Sequence, residues 1–130
     1  MKDILVGKKM KKILVVDDSK ISLKTIDNIL SDKYETVIVK SGAKALEILE
    51  KTTFNLVLLD LQMPDMDGHE VCKKIKSNEK TKDMPVIFLT ATTDIRNQRE
   101  AIAEGAIDFI NKPVKPEVLL EVIEKNISKF

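Results

Sequence analysis

LVLLDLQMPDMDGHEVCKKIK, residues 56–76, contains one complete structural unit of the chain. Leu56–Leu59 is an unbroken apolar run, too short for a helix and closed by Asp60. Continuous apolar character over so short a span marks a strand covered on both faces of a parallel sheet. PDMDG at Pro64–Gly68 is a turn and helix-start signal. Val71, Cys72 and Ile75 then recur at helical spacing. Strand, acid, turn and amphipathic helix follow one another in that order.

The same unit repeats outward in both directions without repeating its sequence. Further apolar runs lie at Ile13–Val16, Thr36–Val39, Val86–Leu89 and Ala106–Ile110. Between them come Leu23, Ile26, Ile29 and Leu30 after a capping Ser19, and Ala45, Leu46 and Leu49 after Ser41. Val118, Leu119, Val122, Ile123 and Ile127 form the last stripe. Asp94–Glu104 is thinner, with only Ile95, Ile102 and alanines as apolar positions. Five strands and five helices in strict βα alternation predict an α/β fold, (βα)5, with a doubly wound parallel sheet.

Composition bounds what such a domain can do. The chain has 130 residues, 43% hydrophobic and 33% charged, which suits one domain with a real core. Its net charge of +1 argues against bulk nucleic-acid binding. Aromatics make up 4% with no Trp, so base-stacking platforms are not expected. The single cysteine, Cys72, excludes an intrachain disulfide framework and suits a reducing cytoplasm. No apolar run approaches the roughly 18 residues of a membrane helix, and the start lacks the order of a signal peptide. Residues 1–10 read as a flexible extension, with Met10 a candidate natural start. Residues 1–12 carry five lysines and one aspartate, so the rest is acidic, with 17 basic against 20 acidic residues.

In open α/β sheets the ligand crevice lies at the carboxyl ends of the strands. The first run ends in Asp17–Asp18, the third in Asp60, the fourth in Thr90 followed by Ala91, and the fifth is followed by Lys112–Pro113. Three carboxylates brought together repel unless a cation neutralises them. An all-oxygen, carboxylate-rich set suits Mg²⁺. Lys112, the Thr90 hydroxyl and the backbone at Ala91 could hold an anion beside the metal, with a carboxylate as nucleophile. Taken singly, each residue has a plainer reading: Asp17–Asp18 as helix caps, Thr90 as a strand-end hydroxyl, Lys112 as a solvated loop residue. Their conjunction at separate strand ends is what points to chemistry.

ILVVDDSKIS, LVLLDLQMPDMDGHEVCKKIK, VIFLTA and GAIDFINKPV, in this order and spacing, closely resemble a response-regulator receiver domain of two-component systems. The resemblance runs from about Lys11 to Lys129 and implies a receiver domain over 11–130 with the flavodoxin-like strand order 2-1-3-4-5. It implies that Asp60 is the phosphoacceptor, that Asp17 and Asp18 bind Mg²⁺ with Asp60, and that the backbone carbonyl of Gln62 adds a ligand. Lys112 and Thr90 would contact the phosphoryl group, with the Ala91 backbone nearby. Thr90 and Phe109 would form the switch, Pro113 would be cis, and Gln62 and Thr92 would tune the phosphoryl lifetime. The implied partners are a histidine kinase or histidine phosphotransfer protein and a downstream protein or output domain, reached through the α4-β5-α5 face. A phosphorylation-dependent dimer is a further implied partner; direct nucleic-acid or membrane binding is not. The resemblance implies a cytoplasmic signalling module rather than an enzyme. The GAIDFINKPVKPEVLLEVI segment (residues 105–123) resembles receivers attached to cyclic-dinucleotide enzymes as well as solitary ones.

Two other readings compete. A small Mg²⁺-dependent phosphatase of the haloacid-dehalogenase type also forms an aspartyl phosphate, but it needs an Asp-x-Asp pair after its first strand. A flavin-binding module of similar fold needs a hydroxyl-rich phosphate loop there, which Asp17–Asp18 would oppose. Elsewhere, His69 reads as an exposed helix residue and Cys72 as a half-buried one. Asp65 and Asp67 read chiefly as caps, and Lys73, Lys74 and Lys76 as a solvated face.

Overall fold

The protein is described here by a computed structural model covering residues 10–61, 63–91 and 95–127. Gln62, Thr92, Asp94 and all of the expected extension except Met10 lie outside the described residues. The order is β1 Lys12–Val16, α1 Lys20–Leu30, β2 Glu35–Val39, α2 Gly42–Lys51 and β3 Leu56–Asp60, then α3 Gly68–Lys76, β4 Val86–Thr90, α4 Ile95–Ala103, β5 Asp108–Asn111 and α5 Pro116–Asn126. All pairings are parallel, in the order β2-β1-β3-β4-β5, as expected.

Alternation along each strand divides the core in two, because successive side chains point to opposite faces. Leu14, Val16, Val57, Leu59, Val86 and Phe88 pack with Ala45, Leu49, Val71, Cys72, Ile75 and Ala101, so α2, α3 and α4 cover one face. Ile13, Val15, Leu56, Leu58, Ile87 and Leu89 pack with Leu23, Ile26, Leu30, Leu119 and Ile123, so α1 and α5 cover the other. β3 and β4 are buried at every position, which is why they are apolar up to their last residues, Asp60 and Thr90.

Several expectations change at the periphery. β2 is an edge strand, and Ile38 is exposed on it rather than covered. β5 starts at Asp108, not Ala106, because residues 105 and 106 close the preceding helix. Gly105, at φ +107°, donates to Ile102 O, and Ala106 donates to Ala101 O. This is the paired bonding of a Schellman motif, and its left-handed residue favours glycine. Ala101 and Ala106 are buried together beneath it, while Ile102 faces solvent. Val118 of the α5 stripe is also exposed. Cys72 is fully buried, and burial pushes its thiol up to about 11. Lys76 is not part of a solvated face: its ammonium donates to Lys82 O and Met84 O, and desolvation lowers its pKa.

Candidate functional site

Three neighbouring strands, β1, β3 and β4, end on the same edge of the sheet and deliver the polar residues there. Asp17 follows β1 directly; its N–H donates to Val39 O at 3.1 Å, which holds it against the sheet. One carboxylate oxygen, Oδ1, accepts from Ser19 N at 2.9 Å, and Ser19 in turn caps α1. Asp17 thus braces the capping residue Ser19 rather than capping α1 itself. The other oxygen, Oδ2, is buried and has no hydrogen-bond partner among the described residues. Lys112 Nζ lies 2.8 Å from it, a charge contact without hydrogen-bond alignment.

Asp60 closes β3 and is 5% exposed. Its Oδ2 lies 3.5 Å from Lys112 Nζ, so one ammonium serves both buried acids. Oxygens of Asp17, Asp18 and Asp60 can all lie within 4.8 Å of one another. Asp18 is exposed and opens the cluster to solvent. Among the described residues, Asp17 and Asp60 share the Lys112 ammonium and are withdrawn from water, and Asp18 adds a third carboxylate beside them. Like charges held this way favour a bound cation over mutual repulsion. The donor set is oxygen only, which fits a hard divalent ion such as Mg²⁺.

Lys112 is placed by the backbone as well: its N–H donates to Thr90 O at 2.8 Å. The Lys112–Pro113 bond is cis. Thr90 ends β4 and is buried; Ala91 beyond it is exposed. Phe109 lies opposite Phe88 in the β4–β5 register, half-buried against the α2–α3–α4 core. Asp17, Asp18, Asp60, Thr90, Ala91 and Lys112 thus gather at or beside one edge of the sheet. Gln62 and Thr92 fall outside the described residues.

Three features escaped the sequence reading. Gly68 donates to Leu61 O at 2.9 Å and lies so near Asp60 that a Cβ would sit 2.8 Å from Leu61 Cα. Asp65 accepts from Gly42 N and Ala43 N across the cleft, so the cap expected of it serves α2, while Asp67 caps α3 at His69 N as expected. His69 is not an exposed residue: its ring packs on Phe88, and Nδ1 contacts Glu104 Oε1 at 2.5 Å. Lys73 approaches the same carboxylate at 3.9 Å, so α3 grips the end of α4. The signal available for Asp65 was that PDMDG holds two acids while α3 needs one cap.

Comparison with known proteins agrees with this geometry. Residues 13–124 match the family described as the response regulator receiver domain. A probable cyclic di-GMP phosphodiesterase of Vibrio cholerae is 40% identical over 107 residues, 82% of this chain. The chain spans only 24% of that relative's length. The two-component response regulator ORR3 of Oryza sativa is 33% identical over 119 residues, which cover 90% of this chain and 91% of the regulator. Among solved structures, the chemotaxis response regulator CheY4 of Vibrio cholerae superposes with a TM-score of 0.85 at 32% identity, covering 90% of this chain and 98% of that one.

Proposed function

The chain belongs to the response regulator receiver domain family, and on that premise we propose that Asp60 is its phosphoacceptor, served by Asp17, Asp18, Lys112 and Thr90. The observation that carries this reading is the shared ammonium: Lys112 Nζ lies 2.8 Å from Asp17 Oδ2 and 3.5 Å from Asp60 Oδ2, beside a three-carboxylate cluster.

The donor is a phosphohistidine on a histidine kinase or a histidine phosphotransfer protein. An Asp60 carboxylate oxygen attacks phosphorus in line; the O–P bond forms as the N–P bond breaks, and the donor imidazole leaves. Asp17, Asp18 and Asp60 would hold Mg²⁺, with the Gln62 carbonyl as a further ligand. Bound there, Mg²⁺ supplies positive charge to the transferring phosphoryl oxygens. Lys112 adds a second positive charge from the protein itself, and the Thr90 hydroxyl and Ala91 N–H donate to the phosphoryl oxygens. Gln62 and Thr92 flank the route by which water removes the group and set its lifetime.

The product is a state of the protein, not a released compound, so the chain is read as a signalling module without a separate substrate. Thr90 drawn toward the phosphoryl group frees space that Phe109 enters. The α4-β5-α5 face then changes for a downstream protein, an output domain or a second copy. Exposed Ile102, Ile107 and Val118 on α4, before β5 and on α5 give that face apolar contact points. Among the described residues no helix is long and apolar enough to cross a membrane; we place the module in the cytoplasm on its lone reduced cysteine. The phosphatase alternative is not favoured, since Asp17 and Asp18 are adjacent rather than Asp-x-Asp and the family match is to receivers.

The test is incubation with a small acyl-phosphate donor and Mg²⁺, followed by intact mass. One phosphoryl group should appear on the wild type and none on Asp60→Asn. No uptake by the wild type would overturn the reading.

A further inference from the structure

The loop between β3 and α3, at Leu61 and residues 63–67, is fastened to a helix of which it is not part. At its base, Gly68 N–H donates to Leu61 O at 2.9 Å. At its tip, Asp65 Oδ1 accepts from Gly42 N at 3.2 Å and Oδ2 from Ala43 N at 3.1 Å. These are the first two N–H groups of α2, which have no intrahelical acceptor. The third, Lys44 N, is taken by Ser41 Oγ at 3.1 Å, and Ala45 N makes the first helical bond to Ser41 O. The first two amides of α2 thus take their protein acceptors from the docked loop.

Packing agrees with the hydrogen bonds. Gly42 lies against Met66 of the loop and Val71 of α3; a Cβ there would stand 3.1 Å from Met66 Cβ and 2.7 Å from Val71 Cγ2. Met63 and Met66 pack on the core from the same loop. The loop follows Asp60 directly, and with Asp18 its residues Leu61, Met63, Pro64, Asp65, Met66 and Asp67 line the cavity at the mouth of the site.

We propose that Asp65 is a positioning residue for phosphoryl acceptance: by capping α2 it docks the β3–α3 loop and so sets the cation affinity of Asp17, Asp18 and Asp60. This rests on the reading of Asp60 given above. A rival role for Asp65 is electrostatic, as one more negative charge beside the cation. The geometry opposes it, because both oxygens are spent on α2 amides, and the positive end of the helix dipole offsets the charge. The two roles differ in what an amide can replace. Asn keeps one of the two acceptor oxygens and carries no charge, so it retains part of the cap.

The experiment compares wild type, Asp65→Asn and Asp65→Ala as full chains. Mg²⁺ affinity is measured by calorimetric titration, and exchange of the Gly42 and Ala43 amides by NMR in metal-free protein. Asp65→Ala should weaken Mg²⁺ binding about tenfold, the low end of what supporting residues around a metal cost. It should also speed exchange at both amides. Asp65→Asn should stay within about threefold of wild type, as a cap partly retained. Wild-type affinity in Asp65→Ala, or a loss of about tenfold in Asp65→Asn, overturns the proposal; the Asn arm decides even if the Ala variant does not fold. Failure of the wild type to accept a phosphoryl group would instead strike at Asp60, leaving the Mg²⁺ series to judge Asp65 by itself.

Discussion

Gly68 packs against the backbone of Asp60 so closely that a Cβ at position 68 would overlap the Asp60 carbonyl oxygen. The first residue of α3 and the last of β3 are thereby locked together, and Asp60 inherits the rigidity of both elements. Gly68→Ala must push the two apart. It should cost about 1–3 kcal/mol, the usual range for overpacking a tight site. Chemical denaturation reads the loss, and phosphorylation should slow in the folded fraction. A neutral result would mean that the strand–helix junction yields without strain.

Cation binding should appear as stability. At ten times its dissociation constant, Mg²⁺ should raise the unfolding free energy by about 1.4 kcal/mol. Asp17→Asn and Asp60→Asn should flatten this dependence, because each removes a donor from the cluster whose oxygens lie within 4.8 Å. Denaturation midpoints across a Mg²⁺ series measure the effect, with an equal ionic strength of NaCl as reference.

How far these features were legible in the sequence depended on how local their causes were. The apolar runs were clearest at β3 and β4, which are buried at each position. The acids Asp17 and Asp60 were legible for the same reason, each standing directly after such a run. Strand limits failed where tertiary bonding intervened, as at Ala106, whose N–H closes α4. Ile102 and the alanines were alike apolar positions of the thin α4 stretch, and the fold buries Ala101 while leaving Ile102 exposed. Asp65 capping α2 and His69 held by Glu104 join residues 22–23 and 35 positions apart, which no window of local pattern spans.

Cys72 should be slow to alkylate at neutral pH, since its thiol sits near 11 and is fully buried. The alkaline consequence has a definite sign. The native thiol keeps its proton to about 11, whereas the unfolded thiol loses it near 9.0, so between those values the unfolded state binds fewer protons. The stability contribution is full below about 9 and is lost as pH rises through about 11. Cys72→Ala should remove that part of the alkaline slope. Lys76, lowered by desolvation, acts in the opposite sense, and Cys72→Ala also removes the thiolate that partly raises it. Labelling rates and denaturation at stepped pH check both statements.

The switch predicts where phosphorylation is felt. With Mg²⁺ and beryllofluoride, amide shifts should change along Thr90–Asn111, the span that runs from the buried hydroxyl through Phe109 to the end of β5. The α3 grip on Glu104 through His69 and Lys73 should leave the far end of α4 less altered than Ala91 and Phe109. Moving a population from 1:99 to 99:1 takes ~5.5 kcal/mol, so partial shifts are the expected result for a weaker bias. Shift changes confined to residues 17, 18 and 60, with none along Thr90–Asn111, would remove the switch.

The central claim concerns one carboxylate among three within 4.8 Å. Its most direct test is reductive trapping: the Mg²⁺-loaded protein is phosphorylated with a small acyl-phosphate donor, treated with borohydride to convert any aspartyl phosphate to an alcohol, and mapped by peptide mass. Conversion at Asp60 alone is the predicted result. Conversion at Asp17 or Asp18, or none at Asp60 in a protein that binds Mg²⁺, would contradict it.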